Sequence, residues 1–339
     1  MGSVKDLEII EQPDEKQSGK GRFIFSDRYS VFDWGEMPDH IPHKGASLCL
    51  MTAYFFEKLE QEGIKTHYRG LVENDTVKSL DELEQPSGIM EVNLVNVVEP
   101  TYENGNYDYS QYHDKLVNCL IPLEIIYRNT LPEHSSFRRR ANNGEIDIQD
   151  YGLDKLPEPG QPLEKPIFDV STKLEASDRY ISWQEARKIA GLTSKEHQKI
   201  QDVLNKVNQI ISNEVKKAGL KNLDGKIELA FDSNRNIMVV DAVGTPDECR
   251  FSYEGFSISK EAIRKYYRGT DWQKEVARVK KEAGKDWKEK VSLRPQKLPQ
   301  DILKLVSDLY KECAHKVTGR QWFEETSSFA EIKNKLKEN

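Results

Sequence analysis

One stretch, residues 226–250 (KIELAFDSNRNIMVVDAVGTPDECR), leaves a folding chain little choice. Ile227, Leu229 and Phe231 alternate with Lys226, Glu228 and Ala230, the period-two pattern of a half-buried strand. Ser233-Asn234-Arg235-Asn236 supplies turn chemistry, and residues 237–240 form an apolar run that ends at Asp241. The two runs read as a β-hairpin. Paired that way, Glu228 and Asp241 come close together, near a lysine and an arginine. Two carboxylates on facing strands offer the hard oxygen ligands that Mg2+ takes when it also holds phosphates. The plainer alternative is a solvated hairpin with its charges on the wet face.

Charge narrows the partners. Fifty Lys and Arg against 57 Asp and Glu give a net charge of −7, so there is no global electrostatic case for nucleic acid or an anionic membrane. A local cationic pocket is still open. Cys49, Cys119, Cys249 and Cys313 are far apart and form no CxxC pair, which suits reduced thiols better than disulfides or zinc. No apolar run is long enough to span a bilayer, and the first residues hold no signal core. The expectation is a soluble, cytoplasmic protein of 339 residues, enough for one large domain or two ordinary ones.

Along the chain, residues 4–11 and 22–25 read as a strand pair, with Lys5 near its start. The segment 26–45 mixes turn residues with aromatics and both charge signs, unlike an idle linker. Its His40 and His43 lack a third ligand nearby, so a metal site is not expected there. Residues 46–62 carry Leu48, Met51, Tyr54, Phe55 and Leu59 at helical spacing, stopped by Gly63. Strands are expected at 68–77 and 89–99, then a Tyr- and Asn-rich surface loop at 100–113. Residues 116–128 read as two apolar strands broken at Pro122. Ser135, Ser136 and the arginines that follow form a basic, hydroxyl-bearing cluster suited to phosphate. The alternative is a solvated charge run. Residues 151–166 read as extended coil stiffened by prolines. Ser182 and Glu185 open a helix, 193–219 is a long amphipathic helix, and 259–268, 272–283 and 299–317 are helical.

Six motifs, in order and with fitting separations, resemble the SAICAR synthetase (phosphoribosylaminoimidazole-succinocarboxamide synthase) family of purine biosynthesis. They are DRYSVFD with IPHKG, IPLEIIYRN, STKLEASD, LDGKIE, DAVGTPDECRF and LPQDILKLVSDLYKECAHKVTG. The resemblance implies a two-lobed α+β fold. Residues 1–118 would form an N-terminal antiparallel-sheet lobe that grasps ATP, and 119–258 a larger lobe for substrate and metal. Residues 259–339 would be C-terminal helices packed on that second lobe, with ATP in the cleft. The implied enzyme is an ATP-dependent C–N ligase. It joins 5-aminoimidazole-4-carboxyribonucleotide to L-aspartate and releases ADP and phosphate, with activation of the acyl-phosphate type. A carboxylate is a poor acyl donor until phosphorylated, and three anionic molecules need cations to hold them together.

The resemblance also implies roles. Lys226 and Asp224 would be catalytic, near the reacting carboxylate. Lys5, Glu228, Asp241 and the backbone of Val117, Asn118, Cys119 and Leu120 would bind ATP, with Glu228 and Asp241 as ligands of Mg2+. Arg128, Arg250 and one of Ser135 or Ser136 would grip the ribotide phosphate. Asp33 and Lys44 would be substrate-side loop residues, and Lys173, Glu175 and Asp178 would belong to a loop at the mouth that closes over aspartate. Three positions depart from the family pattern: Ser3 replaces a lysine, Ser177 a histidine and Ala242 a glutamate. Strand alternation lets only one of Asp241 and Ala242 face the metal, and Asp241 is the expected ligand. A homodimer is compatible with exposed C-terminal helices. Two other classes stay in view: a kinase of a small molecule or inositol phosphate, and a nucleotide-binding relative without catalysis.

Overall fold

In the computed structural model, which describes residues 4–283 and 287–338, the hairpin of 226–250 lies at the centre of a sheet. In chain order the strands are β1 (Lys5–Glu11), β2 (Gly19–Phe25), β3 (Tyr68–Glu73), β4 (Thr76–Lys78), β5 (Ile89–Leu94), β6 (Thr101–Glu103), β7 (Asn106–Asp108), β8 (Cys119–Thr130), β9 (Pro162–Thr172), β10 (Lys221–Phe231), β11 (Ile237–Val240), β12 (Cys249–Tyr253) and β13 (Phe256–Ile258). The helices are α1 (Lys44–Gln61), α2 (Ser136–Asn142), α3 (Trp183–Ile189), α4 (Ser194–Lys217), α5 (Glu261–Tyr267), α6 (Asp271–Ala283), α7 (Trp287–Lys290), α8 (Gln300–Thr318) and α9 (Phe329–Glu338).

Two antiparallel sheets divide the work, as the α+β reading expects. The first runs β1-β2-β5-β3-β4. The second runs β13-β12-β10-β8-β9, with β11 also on β10. The sheets meet where the amide of Val239 donates to Lys65 (2.9 Å) and that of His67 to Val239 (3.1 Å). A second seam joins Asn96 to Cys119.

Alternation along β10 and β8 decides which face is wet. Ile227, Leu229, Leu123, Ile125 and Tyr127 are buried, and α4 packs on both strands through Ile200, Leu204, Val207, Ile211 and Val215. Thr193 caps α4 reciprocally with Glu196. The opposite face carries the charges.

Several local expectations change. The stretch 68–77 is two strands, because Asn74 and Asp75 both take positive φ (50° and 60°) and turn the chain tightly. The strand expected at 89–99 ends at Leu94, where Asn96 leaves to meet Cys119. The loop at 100–113 contains the small β6–β7 hairpin. Residues 119–130 form one strand through Pro122, which sits at the register shift against β10, where a missing amide costs no ladder bond. The proline-rich coil becomes β9 from Pro162 onward, since β9 is an edge strand with no strand beside the prolines on its outer side. Helix α9 was not expected at all. Nor do the C-terminal helices pack on the second lobe alone: α8 lies chiefly against α1, and less against α4.

Candidate active site

The site arises from a gap. Strand β11 pairs with residues 228–231 of β10, and β12 pairs with 221–225 on the same edge. The connection 241–248 therefore opens beside Lys226 and Glu228, and Lys226 donates its amide to the Glu248 carbonyl (3.1 Å). Across the sheet Arg250 and Arg128 flank Asp224, Ile126 faces Lys226, and Glu124 faces Glu228. These residues share one polar face, because positions two apart on a strand point the same way.

At one end lie the two acids. Asp241 is not a continuation of the strand: its φ is 71°, a left-handed turn that directs its carboxylate to Lys5 at 2.5 Å. Alternation is thus not the reason Asp241 and Ala242 diverge; the turn is, and Ala242 is buried in the core. Lys173 pairs with Glu228 at 2.5 Å. Burial pushes the Glu228 carboxyl up, and the neighbouring Asp241 pushes it further. Burial also raises Asp241, but Lys5 and Lys173 more than reverse that and hold it below the ordinary range. Two repelling carboxylates, each fronted by an ammonium group, suit a divalent cation. Among the described residues no cluster of three or more His, Cys, Asp or Glu could hold a metal alone. The donor set therefore fits Mg2+ that completes its shell with phosphate oxygens and water, not a protein-caged metal.

In the middle, Lys226 sits between Glu124 (2.8 Å) and Glu248 (3.4 Å). Burial lowers its affinity for a proton, but Glu248, Glu124 and Glu228 outweigh burial, so the ammonium stays charged. It borders a cavity of about 250 Å3, lined among others by Arg128, Asp178, Tyr180, Glu248 and Arg250.

At the other end Arg128 is almost wholly buried. It donates to Asp169 (3.0 Å) and Ser136 (3.1 Å), and Ser136 donates to the Tyr180 hydroxyl (2.8 Å). Arg140 also pairs with Asp169 and stacks over Tyr180 at 4.1 Å. Of the two candidate serines, Ser136 faces Arg128. Ser135 instead caps α2 by accepting from the Arg138 amide (3.3 Å). Asp224 lies here too, 3.3 Å from Arg250 and 3.9 Å from Arg128. Asp224 thus faces two arginines, and it lines the same cavity as Lys226, two positions along β10.

Other expected residues land elsewhere. Lys44 is fully buried at the start of α1 and pairs with Asp247 (2.9 Å), which also meets Lys260 (3.2 Å) and the Tyr310 hydroxyl (2.8 Å). There it anchors the loop carrying Glu248. The Asp33 side chain is 89% exposed and held by Lys280 (2.7 Å). Glu175 is turned away from the cleft and saturated by Arg179 (2.9 Å) and Tyr109 (2.9 Å). At the seam, the Asn118 carbonyl and the Leu120 amide already pair with Asn96, and the Asn118 side chain ties the β1–β2 turn through Asp14 and Gln17. Val117 precedes the same seam, and Cys119 pairs with Phe231 of β10. A small buried apolar cluster of Leu120, Ala230, Met238 and Val240, with Val95 and Leu174 packed against it, lies beside them. Ser177 is exposed, and Ser3 is outside the described residues.

Sequence reasoning missed Glu124, Asp169, Tyr180 and Glu248. Glu124 and Glu248 stand inside quoted motifs, and Asp169 alternates with Ser171 on the polar face, so the signals were present. A larger cavity, about 850 Å3, lies beyond Asp178 and Tyr180. Its arginines are already paired: Arg139 with Glu145, Arg140 with Asp169, Arg179 with Glu175 and Glu185.

The comparisons agree. A model of the SAICAR synthetase family matches residues 8–279. Over 338 residues the chain is 53% identical to a protein of Archaeoglobus fulgidus provisionally named phosphoribosylaminoimidazole-succinocarboxamide synthase, covering 100% of this chain and 99% of the relative. The enzyme of that name from Thermoplasma acidophilum is 33% identical over 307 residues, 88% of this chain and 93% of its own. Among solved structures, SAICAR synthase from Saccharomyces cerevisiae complexed with SAICAR superposes with a TM-score of 0.64 at 23% identity, covering 95% of this chain and 94% of the other. A type-2 SAICAR synthetase in complex with ADP gives 0.59 at 22%, covering 95% and 97%. At those identities the solved structures speak to the fold, and the family match carries the rest: this chain belongs to the SAICAR synthetase family.

Proposed function

We propose that this chain ligates 5-aminoimidazole-4-carboxyribonucleotide to L-aspartate, cleaving ATP to ADP and phosphate. The observation that supports it best is the order of groups along one sheet face: an acid pair fronted by lysines, then the charged Lys226, then the arginine and serine pocket. That order follows the order of charges from the nucleotide phosphates through the reacting carboxylate to the ribotide phosphate.

Glu228 and Asp241 would hold Mg2+, which would supply positive charge to the nucleotide phosphates when bound. Lys5 and Lys173 turn from these carboxylates to the phosphates when nucleotide arrives. The adenine lies against the apolar cluster of Leu120, Met238 and Val240, whose apolar atoms offer a surface for a flat ring. Arg128, Ser136 and Arg250 bind the ribotide phosphate, and Asp224 and Asp169 hold the arginines in register.

Lys226 holds the ribotide carboxylate by charge, and one carboxylate oxygen attacks the terminal phosphorus as ADP leaves. The aspartate amine then attacks the acyl carbon, phosphate departs, and the amine proton passes to Asp178 at the cavity wall. Lys226 is not a base, because its acidic neighbours keep it protonated. Its contribution is a preset positive charge where negative charge grows.

The test is ADP release by the purified chain with Mg-ATP, the carboxylated ribotide and aspartate, with the product identified by mass. Release that requires both co-substrates is expected. Release that needs a sugar or inositol acceptor and ignores aspartate would establish the kinase reading instead. Ligand binding without turnover would establish the non-catalytic one.

A further inference from the structure

Residues 95–118 supply no side chain to the polar face, yet they carry four tyrosines, Tyr102, Tyr107, Tyr109 and Tyr112. Two of them reach the neighbouring loop 173–179. Its ends are tied: the Thr172 amide donates to the Arg179 carbonyl (3.0 Å), and the Arg179 amide to the Thr172 hydroxyl (3.1 Å). The inner side of the loop presents Lys173 to Glu228 and sets Asp178 at the cavity wall. Its outer side is gripped by the insertion. The Ala176 amide donates to the Tyr107 hydroxyl (2.7 Å), and the Tyr109 hydroxyl donates to Glu175 (2.9 Å). Arg179 completes the Glu175 carboxylate from the opposite side (3.1 Å).

The insertion is built to be firm. Tyr102 and Tyr107 face each other across the β6–β7 hairpin, with ring centroids 4.7 Å apart. Tyr109 is buried, and the Tyr112 hydroxyl closes the insertion on the Val98 carbonyl (2.6 Å).

We propose that Tyr107 and Tyr109 are positioning residues for the ligation: from outside the cleft they fix the loop that carries Lys173 and Asp178, and so set the affinity for the amine substrate, L-aspartate. A loop that must be ordered on binding weakens affinity for whatever it contacts, and one ordered beforehand does not. Both tyrosines bond to the outer side of the loop, so the effect falls on the substrate under the loop. The inference rests on the reading above that this loop serves aspartate.

The experiment uses the full chain and the double variant Tyr107→Phe/Tyr109→Phe, with Tyr112→Phe as a control that alters the insertion without touching the loop. In the double variant the aspartate KM is expected to rise about tenfold, with the ribotide KM within about twofold. Amide hydrogen exchange across 173–179 quickens, and the melting temperature is unchanged. Tyr112→Phe leaves the aspartate KM where it was. The proposal is overturned by an unaltered aspartate KM in the double variant, or by an equal rise in Tyr112→Phe. If the parent chain shows no aspartate-dependent turnover, the functional reading fails, and the exchange rates alone decide whether the two tyrosines hold the loop.

Discussion

Lys5 of β1 and Asp241 at the end of β11 meet at 2.5 Å, one from each sheet. The contact spans the cleft, and the Lys5 ammonium also lies 4.9 Å from the Phe23 ring. A nucleotide entering between the sheets offers Lys5 phosphate oxygens in place of a carboxylate. Lys5→Met should therefore raise the ATP KM about tenfold and leave the ribotide KM nearly unchanged, since the ribotide end of the face is served by other cations. Steady-state kinetics with each substrate varied in turn checks this; equal rises in both constants would mean that Lys5 supports the fold instead.

The φ of 71° at Asp241 dictates the better substitution there. Asparagine tolerates the left-handed region and keeps the shape, whereas alanine would add backbone strain. Asp241→Asn should lower kcat by about 10²–10³ at saturating substrates, the scale of losing one preset electrostatic group. Circular dichroism should be unaltered. A variant with near-normal kcat would remove Asp241 from the metal site.

Ser135 and Ser136 are neighbours with different duties, and a crossed pair of variants separates them. Ser136→Ala and Arg250→Ala should raise the ribotide KM, the serine by about tenfold, the size of one hydrogen bond to a charged group. Ser135→Ala should leave that KM alone and cost about 1 kcal/mol of stability through the lost cap. Denaturant titration and ribotide kinetics on both variants give the comparison. If Ser135→Ala moved the KM and Ser136→Ala did not, the phosphate pocket would have to be redrawn.

Asp178 carries the pH signal. It keeps one side open to water, yet burial and then Glu124 raise its carboxyl from 3.8 to about 6. A raised acid binds its proton more tightly in the folded chain. Its contribution to stability is therefore full below about 4 and is lost as pH rises through about 6. Asp178→Asn should gain melting temperature at pH 7.5 and gain little at pH 4. The parent's rate should fall below pH 6, as the proton acceptor fills, and the variant should lose that limb along with most of its activity. An identical pH–rate limb in the variant would assign the titration to another group.

The sheets, the long helix and the acid pair were legible because their signals are local. Alternation along 226–231 needs no knowledge of distant segments, and α4 announces both its cap and its stripe. What eluded reading depends on chain segments far apart. Lys44 belongs to a family motif, but only Asp247, about two hundred residues on, explains how its ammonium can be buried. Asp33 is likewise claimed by Lys280. Pro122 suggested a break because the sequence does not say that its partner strand shifts register opposite it. Helix α9 is a different case. Ser328 and Glu331 form a reciprocal cap that could have been read from the sequence.

Tyr310, on α8, gives its hydroxyl to Asp247, and α8 begins after the last residue matched by the family model. Asp247 is flanked by Pro246 and Glu248 and lies three residues before Arg250. The stiffness of the ribotide end is thus borrowed from a helix that supplies none of the proposed ligand-binding side chains. A chain cut before α8 would retain every proposed ligand-binding side chain and still lose its grip on the ribotide. Drift at position 310 would surface as altered ribotide affinity, in a part of the molecule where inspection of the cleft gives no reason to look.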